Sequence, residues 1–171
     1  TREPGGTKIS EKIRKLVIHD LHSKSNSLTE LFLLFAARAE HYDLIKNKLN
    51  KGYIVLCDRY VDSTIAYQHY NGSIKLEVIN YIQKLIDKGH KPNLTFLLDI
   101  NPSLGKKRMS KRNKKKDRFD KEPVNKMNKV RKAFKKIALL NKNRIVLIPN
   151  HLPKAVVQAN IQKQLLRFLD K

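Results

Sequence analysis

Along this chain, stretches with apolar residues every three to four positions alternate with short, nearly continuous apolar runs. Ile9, Ile13, Leu16 and Val17 predict a helix over residues 8–19. Residues 22–28 are polar and read as a loop. Thr29 and the apolar residues 31–37 begin a long helix running to about Asn50, with Gly52 as its stop. The β-branched run from Tyr53 to Asp58 predicts a short buried strand. Leu76, Ile79, Ile82, Leu85 and Ile86 share one face of a helix over 75–88, closed by Gly89 and Pro92. Leu94–Ile100 reads as a second strand, apolar enough to lie in a parallel sheet covered on both faces. Residues 103–112 start helical and turn strongly basic. Pro123 in a first turn opens a helix striped by Val124, Met127, Val130, Phe134 and Ile137. Arg144–Ile148 is a third strand, and 154–169 a closing amphipathic helix.

Strands alternating with helices predict an α/β fold around a parallel sheet. Three strands are few for that class, and the chain opens at Thr1, directly in the turn Thr1-Arg2-Glu3-Pro4-Gly5-Gly6-Thr7. The expectation is therefore a single domain over 1–171 with a natural start upstream. Hydrophobic residues at 40% and charged residues at 30% describe a globular chain rather than a disordered one. No apolar run approaches the roughly 20 residues of a membrane span. The single cysteine, Cys57, cannot form an internal disulfide, which fits a reducing, cytoplasmic setting; it reads as a small buried hydrophobe rather than a reactive thiol.

Charge changes the picture. A net +22, from 37 Lys and Arg against 15 Asp and Glu, points to a polyanionic partner. A nucleotide and a nucleic acid are both compatible, and the excess of Lys alongside Asn and Ile also has the look of base-composition bias. No zinc-finger spacing, RNA-recognition aromatic signature or heptad repeat supports a nucleic-acid module. A basic, non-catalytic nucleic-acid-binding protein is the alternative reading, and its mark would be tight binding that falls steeply with salt.

The strongest local signal is Asp58-Arg59-Tyr60-Val61-Asp62-Ser63-Thr64-Ile65-Ala66-Tyr67-Gln68, at the carboxyl end of the predicted strand 53–58. Open α/β sheets bind ligands at such ends. An acidic residue there can organise Mg²⁺ through water, and an adjacent Arg can fork onto a phosphate. Hydroxyl and amide side chains a turn or two later can read a base edge. A capped helix start with an ordinary surface ion pair is the plainer reading of the same residues.

Four motifs, in order, resemble the bacterial thymidylate kinase family. They are the turn Thr1–Thr7, Glu30 with Phe35-Ala36-Ala37-Arg38, Asp58-Arg59-Tyr60 with Ser63 and Ala66-Tyr67-Gln68, and Asp117-Arg118-Phe119-Asp120 in a basic stretch. The resemblance implies a P-loop nucleoside monophosphate kinase-like fold of three layers. It also implies the reaction ATP + dTMP → ADP + dTDP with Mg²⁺, and a homodimer joined through helices such as 29–45. It implies that Arg14 and Arg59 touch the dTMP phosphate, that Arg38 bonds thymine, and that Asp58 supports magnesium. Thr64 and Gln68 would line the base pocket, and Tyr67 would crowd the place of a ribose 2′-hydroxyl. A lid over about 106–121, with ten Lys and Arg between Lys106 and Lys121, would supply the catalytic arginine from Arg108, Arg112 and Arg118. A neighbouring nucleotide kinase with another acceptor is the second enzyme reading.

Three departures stand out. The Gly-x-x-x-x-Gly-Lys-Ser/Thr loop that cradles ATP phosphates is not among these residues. The resemblance places it in a strand-loop-helix-strand segment before Thr1, so the expectation is a fragment that does not transfer phosphate at a useful rate by itself. Leu34 stands where the family usually places a stacking aromatic, with Phe35 next to it. Ile148-Pro149-Asn150 follows the last strand in place of Asp-Ala.

Overall fold

The computed structural model describes residues 1–21, 25–111 and 117–170. Their order is α1 (Lys8–Lys15) with a π-helical turn Leu16–Asp20, α2 (Ser27–Asn50), α3 (Val61–Thr64) with a π-helical turn Ile65–Tyr70, and α4 (Leu76–Asp87). There follow β1 (Thr95–Asp99), α5 (Pro102–Ser110), α6 (Val124–Leu140), β2 (Ile145–Pro149) and α7 (Lys154–Leu169). Contacts divide the chain into two compact units, Thr1–His90 with Asp117–Phe119, and Lys91–Lys116 with Asp120–Lys171.

In the first unit, α2 starts at Ser27, before Thr29, because the Asn26 side chain accepts the Leu28 N–H at 2.8 Å and caps it. It ends as predicted: Gly52 takes φ 78° and its N–H bonds the Leu49 carbonyl at 2.9 Å. The core gathers Leu31 and Phe35 of α2, Val61 of α3, Ile74, and Ile79 of α4. Leu31 and Ile79 are fully buried, and burial of one such side chain contributes about 1.5–3 kcal/mol.

Two expectations fail in this unit. The helix 8–19 buries Val17 and Ile18 but leaves Ile9 and Leu16 exposed, and from Leu16 it widens into a π-helical turn that shifts the apolar phase. Residues 53–58 are not a buried strand: Ile54 and Leu56 are each 76% exposed, and pairing is limited to one bridge between Arg2 and Asp58. β-branched residues favour an extended backbone, but a ladder needs partners. Among the described residues Thr1–Glu3 lie alongside, with the Asp58 N–H bonded to the Thr1 carbonyl at 3.0 Å and the Glu3 N–H to the Asp58 carbonyl at 2.9 Å.

The Gly5–Gly6 turn shows why glycine is required. Gly6 has φ 91°, and a Cβ there would come within 2.4 Å of the His41 ring. Gly6→Ala is expected to lower stability by about 2–4 kcal/mol, from positive-φ strain and displacement of His41. A shift of less than 0.5 kcal/mol (order-of-magnitude threshold) in urea denaturation would contradict this.

In the second unit, β1 and β2 pair in parallel from Thr95↔Ile145 to Asp99↔Pro149. Among the described residues these are the two strands of the sheet. Leu98 and Leu147 are 44% and 40% exposed, so the pair is not covered on both faces as the apolar run suggested. α6 packs Val130, Ala133 and Ile137 inward, and Pro123 stands at its N-cap rather than inside its first turn. Asn101 caps α5 by accepting the Ser103 N–H. Arg131 forks onto Asp99 at 2.6 and 2.8 Å and holds that carboxyl below its ordinary range.

Candidate active site

Of the residues singled out in the sequence, Arg14, Leu34, Arg38, Asp58, Arg59, Thr64, Tyr67, Gln68 and Arg118 lie in the first unit, where the Arg38 guanidinium is buried. Arg38, on the inward face of α2, is 3% exposed. Its Nε donates to Glu3 Oε2 at 2.8 Å, Nη1 to Gln83 Oε1 at 3.2 Å, and Nη2 to Thr64 Oγ1 at 3.0 Å. A buried charge costs several kcal/mol unless compensated. Here the compensation comes from an ion pair with Glu3 and two neutral acceptors. The rings of Phe35 and Tyr60 lie 5.0 and 5.1 Å from the guanidinium carbon, adding cation–π attraction. Thus Phe35, one helical turn before Arg38, contacts it, while Leu34 is half-buried on a neighbouring face. Glu3 also meets His41 Nδ1 at 3.2 Å, and His41 Nε2 meets Thr1 Oγ1 at 2.7 Å.

The motif 58–68 opens with a strained residue. Arg59 has φ 70°, a region that non-glycine residues rarely take, and strain of this kind clusters at ligand sites. Its side chain is exposed, lies 5.8 Å from the Tyr67 ring, and reaches Ser63 Oγ at 3.5 Å. Arg14, from α1, bonds the Pro4 carbonyl at 3.0 Å. Its pKa is lowered, first by burial, then by the positive charge of Arg2, with Arg59 contributing in the same sense. The carboxylates of Glu11 and Asp117 act in the opposite sense, since a partly desolvated guanidinium is stabilised by anions near it. Asp58, next to Arg59 in the chain, is exposed.

Beyond the strained start, the π-helical turn Ile65–Tyr70 carries Tyr67 and Gln68. Gln68 is buried and donates to Glu30 Oε1 at 3.0 Å. Glu30 also takes Arg118: Nη1 donates to Oε2 at 3.1 Å, and Nη2 sits 2.7 Å from Oε1, an ion pair off the N–H direction. Phe119 meets Tyr67 edge-on with centroids 5.4 Å apart. Arg118 thus stands with Glu30 and Gln68. Arg108, in the second unit, donates to the Asn150 carbonyl at 2.7 Å, and so engages the very residue that departs from the expected Asp-Ala. Arg112 lies outside the described residues.

Sequence reasoning missed Glu3 as a partner, together with His41, Gln83 and Asp87. The signal for the last two was polar residues inside the apolar stripe of α4. Among the described residues no group of three or more His, Cys, Asp or Glu could hold a metal ion, and Asp58 belongs to no such group. Among them, too, no helix is long and apolar enough to cross a membrane.

Burial pushes the Cys57 thiol up to about 12, with nearby Glu3 adding to the shift. At pH 8 little thiolate forms, and the gain in intrinsic nucleophilicity offsets only part of that loss. Alkylation by iodoacetamide is expected to run about 100-fold slower than for an unperturbed thiol, and to speed up about tenfold per pH unit to pH 10. A rate within about threefold of free cysteine would contradict the burial argument.

The sequence profile of the family described as "Thymidylate kinase" matches residues 1–161. A thymidylate kinase of Sulfurihydrogenibium sp. (strain YO3AOP1) is 45% identical over 149 residues, covering 86% of this chain and 72% of that protein. One from Pseudomonas fluorescens is 37% identical over 172 residues, covering 100% of this chain and 81% of its own. A crystal structure of thymidylate kinase from Ehrlichia chaffeensis superposes with a TM-score of 0.74 at 30% identity, covering 96% of this chain and 79% of that one. With a family match over residues 1–161, relatives 37% and 45% identical and a similar solved structure, this α/β chain with a parallel sheet belongs to the thymidylate kinase family.

Proposed function

We propose that this protein transfers the γ-phosphoryl group of ATP to the 5′-phosphate of dTMP, and that the first unit supplies the dTMP side. The supporting observation is the strained backbone of the exposed Arg59 in the unit where Thr64 meets Arg38. Arg14 and Arg59 suit a phosphate dianion. Arg38 carries only donors and matches the 4-oxo edge of thymine rather than the 4-amino edge of cytosine. Thr64 and Gln68 complete the base side, Leu34 adds apolar packing, and Tyr67 limits space beside the sugar.

In the reaction a dTMP phosphate oxygen attacks the γ-phosphorus in line, and the bond to the departing ADP oxygen breaks. Arg59 and Arg14 hold the acceptor in place. Arg108, Arg112 and Arg118 are the cations that would offset charge on the transferring group. A lone carboxylate fits Mg²⁺, which keeps most of its waters and takes phosphate oxygens as ligands; Asp58 would hold the ion through water. When bound, Mg²⁺ neutralises charge on the phosphates.

A three-layer P-loop kinase fold and a cytoplasmic setting are part of this reading. So is a homodimer, supported by the exposed stripe Leu28, Phe32 and Ala36 along α2. The test is a γ-labelled ATP assay on the protein isolated from its source, with dTMP, dUMP, dCMP and dAMP as acceptors. Label in dTDP far above the other products is expected. Equal labelling of dCDP, or none of any, would overturn the assignment.

A further inference from the structure

Gln83 is 6% exposed on the apolar face of α4, where a polar side chain calls for an explanation. Its Oε1 accepts from Arg38 Nη1 at 3.2 Å, and its Nε2 donates to Asp87 Oδ2 and lies 3.5 Å from the Tyr60 hydroxyl. Asp87 is fully buried. It also accepts the Tyr60 hydroxyl at 2.6 Å and the Gly89 N–H at 2.9 Å. Burial, and next the Asp87 bond, push the Tyr60 phenol up, so it remains a donor. Three donors therefore converge on one carboxylate. An amide can meet that carboxylate only through its NH2, which leaves Gln83 one orientation, with its carbonyl toward Arg38.

We propose that Gln83, oriented by Asp87, is a positioning residue that sets the rotation of the Arg38 guanidinium and thereby the preference for a 4-oxo pyrimidine. The inference rests on the reading of the first unit as the dTMP side. Glu3, Thr64 and Gln83 hold Nε, Nη2 and Nη1 from three separate parts of the chain, and three such points fix a plane. Losing the Gln83 point frees the fork to tilt about its Glu3 bond. The charge, and with it phosphate attraction, stays.

The experiment is calorimetric titration of the full chain with dTMP, dCMP and deoxyribose 5-phosphate, for the wild type, Gln83→Leu and Asp87→Asn. Asp87→Asn keeps the shape but lets the Gln83 amide turn over. Wild type should prefer dTMP. Both variants should lose about tenfold in the dTMP to dCMP ratio, the scale of one misplaced hydrogen bond, with deoxyribose 5-phosphate affinity unchanged. An unchanged ratio in Asp87→Asn, whatever happens to either variant's melting temperature, makes Gln83 merely structural and overturns the proposal. A wild type without preference for dTMP instead overturns the underlying dTMP-site reading.

Discussion

Replacing Glu3 by Ala is expected to cost about 3–5 kcal/mol of folding stability. Glu3 is 4% exposed and is the carboxylate facing both Arg38 and His41. The expected cost is not the worth of the ion pair itself. It arises because the variant leaves the Arg38 charge buried without its counterion, and the two neutral acceptors Thr64 and Gln83 cannot replace it. The contrast is Lys126–Glu122, whose side chains are 45% and 25% exposed at i,i+4 spacing. Breaking that pair should cost no more than about 0.5 kcal/mol. Urea denaturation of both variants checks the difference. Glu3→Ala within about 1 kcal/mol of wild type would mean that Arg38 finds water or another acceptor, contrary to its burial.

The second large effect concerns binding. Arg59→Lys and Arg14→Lys should each weaken dTMP binding about 10- to 100-fold, the range for a hydrogen bond to a charged group. Both variants keep the charge and lose the guanidinium fork. Thymidine, which lacks the phosphate, should bind wild type and both variants within about threefold of one another, since its contacts lie on the Arg38 side. Lys at position 59 also inherits φ 70°, so its strain is unchanged and the comparison isolates the fork. Calorimetry with dTMP and thymidine checks this. Equal losses for both ligands would place the arginines at the base instead of the phosphate.

The helices were legible because their information is local. The apolar spacing of α4 and α6, the Gly52 stop and the turn glycines each act within a few residues. The strand predicted over 53–58 does not form, because a ladder depends on what lies alongside, and no periodicity reports that. The same limit explains Arg38. Its position in Phe35-Ala36-Ala37-Arg38 was visible, but Glu3 and Gln83 stand 35 and 45 residues away. The π-helical turns shift phase in a way a 3.6-residue stripe does not show, hence the exposed Leu16. Phe35 rather than Leu34 contacts Arg38 because i,i+3 neighbours meet on a helix as readily as i,i+4 ones. One signal was available and unused: Gln83 and Asp87 interrupt an apolar face four residues apart.

The central claim is that Arg14, Arg38 and Arg59 form one dTMP site, and arginine side-chain NMR tests it most directly. The Nε–H resonances of these three residues should shift on addition of dTMP and saturate with a single dissociation constant, while Arg131 and Arg144 of the second unit stay in place. Shifts confined to the second unit, or separate dissociation constants for Arg38 and Arg59, would contradict it.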